Sequence, residues 1–177
     1  MLTGIDCESE VSCWAVGEDN AATGPPKLLA EHWNGGSWTV ASTPSLSGFF
    51  LSIACRAATM CWATGSTNGN DLTARYVHGS WQQVAAPEAD IYDGVACGSA
   101  RNCWAVGEGY VEGTVGKGGS IAGHWSGATW SYVVSPRVPE GLFGVACPTP
   151  TECVAVGTVG QRSIGSQQAI AEVIRPA

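Results

Sequence analysis

One phrase is written four times in this chain, and that repetition limits the fold more than any other feature. It reads apolar-Gly-apolar-x-Cys, five residues, Cys-Trp-Ala-Val-Gly, a variable stretch, a His-Trp pair, a Gly turn and a further Trp. The first cysteines are Cys7, Cys55, Cys97 and Cys147, so successive copies lie 48, 42 and 50 positions apart. The second halves begin at Cys13-Trp14, Cys61-Trp62, Cys103-Trp104 and Cys153-Val154. Periods of roughly 40–50 residues belong to architectures that stack one supersecondary unit on the next. Each position in the phrase is therefore a column. A residue kept in its column builds the unit, and one that breaks it is a candidate for function.

Four short strands can be read within a copy. In the first they run from Leu2 to Cys7, Cys13 to Glu18, Leu28 to Asn34 and Ser37 to Ser42. Alternation of apolar and small or polar residues, with Trp and Val recurring, argues strand over helix. The third and fourth strands are joined by Gly turns at Asn34-Gly35-Gly36, His78-Gly79 and Ser126-Gly127, where Gly supplies the positive φ of a hairpin. Four antiparallel strands per period is the pattern of a propeller blade. The expected fold is thus all-β: a β-propeller of four repeats in one domain over 1-177, with blades near 2-48, 49-92, 93-141 and 142-177. The fourth copy stops after its third strand (Ala169 to Ile174), so its blade is expected to lack the outer strand. Three closures follow: a compact four-bladed ring, which we favour, a share of a larger ring, or a homodimer completing an eight-bladed one. An unpaired edge is a template for such pairing.

Eight cysteines permit 105 pairings, but the repeat favours one. Antiparallel strands joined by a five-residue turn bring the flanking cysteines opposite each other. This predicts Cys7–Cys13, Cys55–Cys61, Cys97–Cys103 and Cys147–Cys153. Zinc normally takes closer cysteines or nearby histidines, so neither a metal nor another cofactor is expected. Structural disulfides point to an oxidising compartment, here extracellular. No basic-then-apolar leader is read in this sequence, so a secreted protein is expected to be represented here in mature or truncated form.

The phrases Cys-Trp-Ala-Val-Gly and Glu-His-Trp-Asn-Gly-Gly-Ser-Trp resemble those of repeat-rich secreted bacterial propellers of the actinobacterial type. They are distantly similar to Asp-box (BNR) and photosystem II assembly factor-like propellers. The Asp-box aspartate itself is absent from Gly36-Ser37-Trp38, Gly79-Ser80-Trp81 and Ala128-Thr129-Trp130. The resemblance implies the fold and leaves function open, because propellers host both binding and catalysis.

Composition narrows the partners. The net charge is −7 with only eight Lys and Arg, so no basic surface exists to neutralise phosphates and nucleic acid is a poor partner. Apolar runs are far short of the roughly 20 residues that cross a bilayer, so membrane insertion is not expected.

The columns then sort the candidate site residues. The third-strand column reads His32, Arg75, His124, Val173, and its histidines are expected to pack beside Trp33 and Trp125. Asp6 breaks a column otherwise filled by Ala54, Ala96 and Ala146, and a hydrogen bond to backbone or to channel water is its expected use. Glu18 and Glu108 share a column just after the second strand. Asn70 and Asp71 lie in a short polar stretch that reads as a turn, or as a minimal calcium loop. Aromatic residues on the stretches between strands, Phe49, Phe50, Tyr92, Tyr110 and Phe143 with Leu142, are ligand candidates or core entrants. The variable stretches between second and third strands, and between repeats, are expected to share one face opposite the cysteine turns, and loops on a rigid scaffold are where binding resides. The reading is an extracellular recognition module for a glycan or protein. The alternatives are a carbohydrate hydrolase using loop-face acids and a structural unit of a larger assembly.

Overall fold

The computed structural model describes residues 1–20, 24–57, 59–87, 89, 91–110, 118–133, 141–159 and 168–175. These residues form strands and turns only, arranged in four antiparallel sheets. Sheet 1 holds β1 (Leu2–Ser9), β2 (Ser12–Asp19), β3 (Lys27–Trp33) and β4 (Trp38–Val40) in that order. Sheet 2 holds β5 (Gly48–Ala57), β6 (Met60–Thr67), β7 (Asn70–Val77) and β8 (Ser80–Gln83). Sheet 3 holds β9 (Ile91–Ser99), β10 (Asn102–Tyr110), β11 (Gly118–Trp125) and β12 (Trp130–Val133). Sheet 4 has three strands, β13 (Gly141–Ala146), β14 (Cys153–Val159) and β15 (Gln168–Ile174). The chain divides into two compact units, Met1–Ala85 with sheets 1 and 2, and Ala86–Ala177 with sheets 3 and 4.

All four disulfides close within their own repeat, Cys7–Cys13, Cys55–Cys61, Cys97–Cys103 and Cys147–Cys153. In the first three sheets the two cysteines face each other across the strands, as the spacing predicts. Four such bonds fit an oxidising, non-cytoplasmic setting. No described helix is long and apolar enough to cross a membrane.

The Gly of Trp-Ala-Val-Gly is kept for a steric reason. A Cβ on Gly17, Gly65, Gly107 or Gly157 would stand 2.1, 2.1, 1.9 or 2.0 Å from a carbonyl oxygen of the neighbouring strand. Opposite that glycine each first strand carries one extra residue. Pairing jumps from Leu2 to Gly4, from Phe50 to Ser52, from Tyr92 to Gly94 and from Leu142 to Gly144. Thr3, Leu51, Asp93 and Phe143 are therefore β-bulge residues in one shared column. Bulges re-aim side chains and recur beside functional sites. This column is chemically different in every repeat.

Within each unit one sheet lays a Trp/Val face on the next. In the first unit Trp14, Val16, Leu28 and Ala30 of sheet 1 pack with Phe50, Ile53, Ala63, Leu72, Ala74 and Trp81 of sheet 2. Trp14 meets Trp81 edge-on at 5.5 Å between ring centroids and lies 4.4 Å from Tyr76. In the second unit Trp104, Val106 and Ala122 of sheet 3 pack with Leu142, Cys153, Ala155 and Ile174 of sheet 4. Sheets 1 to 3 thus have one face marked by the Trp after the second cysteine and an opposite Ala/Trp face, sheet 4 has the same two faces without a Trp, and period-2 alternation assigns residues to them.

Candidate functional site

Two ends can be distinguished in every sheet. Register places the cysteine turn at one end, and the column Glu18, Ser66, Glu108, Thr158 near the other. In sheet 3 Glu108 pairs with Ile91 and Gly107 with Tyr92, so Glu108 and the bulge residue Asp93 belong to that second end.

Asp93 is half-buried, and its carboxyl is pushed up to about 6, first by burial and then by the negative charge of Glu108. The two acids therefore sense each other across β9 and β10. Glu108 also lies over the start of β13. A Cβ on Gly141 would stand 2.7 Å from Glu108 Cγ and 3.0 Å from Phe143 Cε1. Phe143, the bulge residue of sheet 4, is 41% exposed. Two carboxylates and an accessible ring thus gather around Gly141 in the second unit. Asp93 escaped the column reading because its column varies in every repeat and so gave no pattern to break. The signal was the bulge, which only the register reveals.

Glu18 takes the equivalent place in sheet 1, where it is half-buried and its Oε1 accepts a hydrogen bond from Asn20 Nδ2 at 2.9 Å. Asp6 accepts a 2.6 Å hydrogen bond from the Cys55 backbone N–H, tying β1 to β5. That backbone use is the one expected of it.

The structure decides two expectations that the sequence left open and corrects a third. Tyr92 is a strand residue of β9, fully buried, and its hydroxyl donates to the Pro87 carbonyl at 2.7 Å. It shares a column with Phe50 and Leu142, which are likewise completely buried. Asn70 and Asp71 begin β7 and pair with Thr67 and Ser66. Of the two readings of this polar stretch the turn holds, as the two-residue hairpin Asn68-Gly69 with φ of 51° and 79°. Finally, His32 and His124 do not stack on Trp33 and Trp125. They lie on Trp14 and Trp104, each with ring centroids 4.6 Å apart. Those are their direct cross-strand partners, and alternation puts the next residue on the opposite face. Tyr110 closes β10, but its side chain lies outside what is described, as do residues 111–117, 134–140 and 160–167 of the variable stretches. His78 sits in the expected tight turn at φ 50° and is exposed.

The cross-strand pairs explain the third-strand column. Trp14 pairs with His32, Trp62 with Arg75 and Trp104 with His124, whereas Val154 pairs with Val173. Arg75 holds its guanidinium carbon 5.7 Å from the Trp62 ring centroid. Where the Trp is lost the polar partner is lost with it, so the histidines serve packing. In sheet 3 the packing is sealed by Asn102, whose Oδ1 accepts from Trp104 Nε1 and contacts His124 Nε2, both at 2.9 Å. An indole N–H is a donor only, which fixes the Asn102 oxygen and assigns the proton to His124 Nε2. Asn102 Nδ2 donates to the Pro150 carbonyl at 2.8 Å. Burial lowers the His124 pKa.

A carboxylate oxygen of Glu8 and the sulfurs of Cys55 and Cys61 lie within 4.8 Å of one another. Both sulfurs are in a disulfide, so the group offers no thiolate for a metal. Comparison of the chain with protein-family models and with curated proteins returns no match.

Proposed function

We propose that the four sheets are blades of a β-propeller, near residues 2-48, 49-92, 93-141 and 142-177, and that the protein is a secreted recognition module. The observation that carries the reading is the group around Gly141, namely Asp93, Glu108 and Phe143 at the end of the second unit away from its cysteine turns. Carboxylates accept hydrogen bonds from hydroxyls, and an exposed ring offers a flat apolar surface. Together they suit a glycan, whose rings present both. The repeat motif supports the propeller, since four short antiparallel strands per period is the blade pattern. The disulfides support secretion.

A carbohydrate hydrolase is the second reading, and one observation favours it. Asp93 holds its proton to about 6 beside the charge of Glu108, and such divided carboxyl pairs are how glycosidases place a general acid.

A glycan array probed with the intact protein tests both. Retained sugar, weakened tenfold or more by Phe143→Ala and by Glu108→Gln, is expected under recognition. Release of a shorter sugar, abolished by Asp93→Asn, would move the assignment to hydrolysis. Binding that ignores all three substitutions would remove this site.

A further inference from the structure

Every open sheet ends in two edges, and an unguarded edge is a template for a further strand. Most edges of the four sheets are blunted. The first strands β1, β5, β9 and β13 each carry a bulge. The outer strands β4, β8 and β12 are only three or four residues long. β15 has neither device. It runs for seven residues, Gln168–Ile174, in unbroken register with β14. It contains no Lys and no Pro, and its one charged side chain, Glu172, is buried. Among the described residues no strand pairs with its other side.

The other sheets show what such an edge takes. β15 holds the place of β3, β7 and β11, and each of those pairs with a fourth strand. Val156 pairs with Ala171 as Val16 pairs with Ala30, so the same backbone groups point outward. The Ala30 carbonyl accepts from the Ala41 N–H, and that of its column mate Thr73 from the Val84 N–H, both at 2.9 Å. In sheet 4 that acceptor is the carbonyl of Ala171, an exposed residue. Val173 stands in the column of His32 and His124, whose carbonyls accept from Thr39 Oγ1 at 3.3 Å and Ser131 Oγ at 3.4 Å. Ile174 stands in the column of Trp33, Tyr76 and Trp125, which meet the Trp opening the fourth strand at 5.8, 5.7 and 5.9 Å between centroids.

The three fourth-strand segments read Trp38-Thr39-Val40-Ala41, Trp81-Gln82-Gln83-Val84 and Trp130-Ser131-Tyr132-Val133. Each is a Trp, a polar residue, a free position and a small apolar residue. All three are engaged in their own sheets, so none is spare for β15.

We propose that β15 is a peptide-binding edge, which takes an extended Trp-Ser/Thr-x-Val segment of a separate polypeptide as the antiparallel fourth strand of sheet 4. The Trp lies against Ile174, the hydroxyl donates to the Val173 carbonyl, and the N–H of the last residue donates to the Ala171 carbonyl. In strand addition of this kind main-chain bonds give affinity and alternate side chains give specificity. The inference stands on strand pairing within sheet 4 and does not need the glycan reading.

The probe is an end-blocked peptide with the sequence of residues 129–133, Thr-Trp-Ser-Tyr-Val, titrated into the intact protein. Calorimetry reads affinity, and amide hydrogen exchange by NMR reads the place. Saturable binding is expected, with slowed exchange at Ala171 and Val173 and no change at Glu172, whose backbone faces β14. N-methylation of the peptide's Val removes one main-chain donor and should weaken binding about tenfold. Replacing the peptide's Trp by Ala should weaken it further. Val173→Pro removes an outward N–H from the protein, which an edge strand tolerates, and should also weaken binding about tenfold. The peptide variants leave the protein untouched, so a folding defect in Val173→Pro cannot mask the result. Absence of saturable binding up to millimolar peptide overturns the proposal, as does equal affinity for a scrambled peptide. So does slow exchange at Ala171 and Val173 without peptide: if independent of protein concentration, the protein's own chain covers the edge, and if it grows with concentration, a second copy does.

Discussion

The Trp–His pairs of sheets 1 and 3 occupy identical register positions but are finished differently. In sheet 3 Asn102 holds Trp104, His124 and the Pro150 carbonyl at once, and His124 is buried. In sheet 1 the corresponding residue is Ser12, whose short hydroxyl reaches only His32, at 3.3 Å. The Trp14 indole N–H is buried and finds no hydrogen-bond partner among the described residues. The rings superimpose in kind, with 4.6 Å separations in both. One side chain before the second cysteine therefore decides whether the pair is a packing contact or a closed polar network. A fully satisfied buried network rigidifies a core, and a partly satisfied one leaves it weaker.

The largest expected effect is at the Trp itself. Trp104→Ala should cost about 3–5 kcal/mol in urea unfolding, the usual range for emptying a buried Trp site. It also leaves Asn102 short of a donor. Trp14→Ala removes a ring but strands no partner, so its cost should be smaller. Equal costs would mean that the Asn102 network adds nothing to ring burial, and the contrast between the two sheets would collapse.

Next is the network residue. Asn102→Ala leaves the Trp104 and His124 N–H groups and the Pro150 carbonyl unpaired, and a loss of about 2–3 kcal/mol is expected from stranded buried polar groups. Ser12→Ala removes one long hydrogen bond at a half-buried site and should cost less than about 0.5 kcal/mol. The reverse transplant sharpens the point: Ser12→Asn should stabilise the first unit if its amide reaches Trp14 Nε1, as measured by the same urea titration.

The sequence made the four repeats, strand order and disulfide pairing legible because each rests on a local, repeated signal. Alternation marks a strand whatever surrounds it, and Cys7 faces Cys13 once the two strands pair. What alternation could not convey was whether a neighbouring sheet is present. Trp38, Trp81 and Trp130 look alike in sequence but differ in exposure, because burial is set by what lies on top of them. Tyr92 was misread as a loop residue because β9 starts at Ile91, earlier than its repeat motif suggests. The Asp93–Glu108 pair was only half visible. Glu108 stood out by its column, but Asp93 meets it through a bulge that shifts the register by one residue.

A pH titration separates the finished network from the unfinished one. Burial holds the His124 pKa below its ordinary value, so the unfolded chain takes up this proton first as pH falls. Stability from His124 is therefore fully present above about 6.5 and declines as pH drops below that value. His124→Gln, which keeps an N–H to offer Asn102, should flatten that decline. If the slope persists in the variant, another group causes it. Asp93 must be silenced first, since it titrates nearby with the opposite sign.

Asp93 is accordingly the smallest effect and the one that tests the second unit most directly. Its counterpart in the first unit, Thr3, uses the bulge for structure: its hydroxyl donates to the Phe50 carbonyl at 2.7 Å and lies 3.2 Å from the Val16 carbonyl. Asp93 instead brings a charge to a half-buried place beside Glu108, and its carboxyl titrates near 6. A raised carboxyl pKa means that the folded state keeps a proton the unfolded chain has released. Its contribution is full below about 4 and is lost as pH rises to about 6, so the ionised form weakens the fold at neutral pH. Asp93→Asn should raise the Tm slightly at about pH 7 and leave it unchanged at about pH 4, the solvent exposure of the site keeping the gain small. Glu108→Gln should give a smaller rise, because it relieves only the second of the two causes. A fold that prefers the neutral residue but retains the acid has kept it at a cost in stability, which is what a binding or catalytic carboxyl requires. If Asp93→Asn instead lowers the Tm at neutral pH, the ionised carboxylate is being used to hold the bulge, as Thr3 is, and the two units are alike at this column after all.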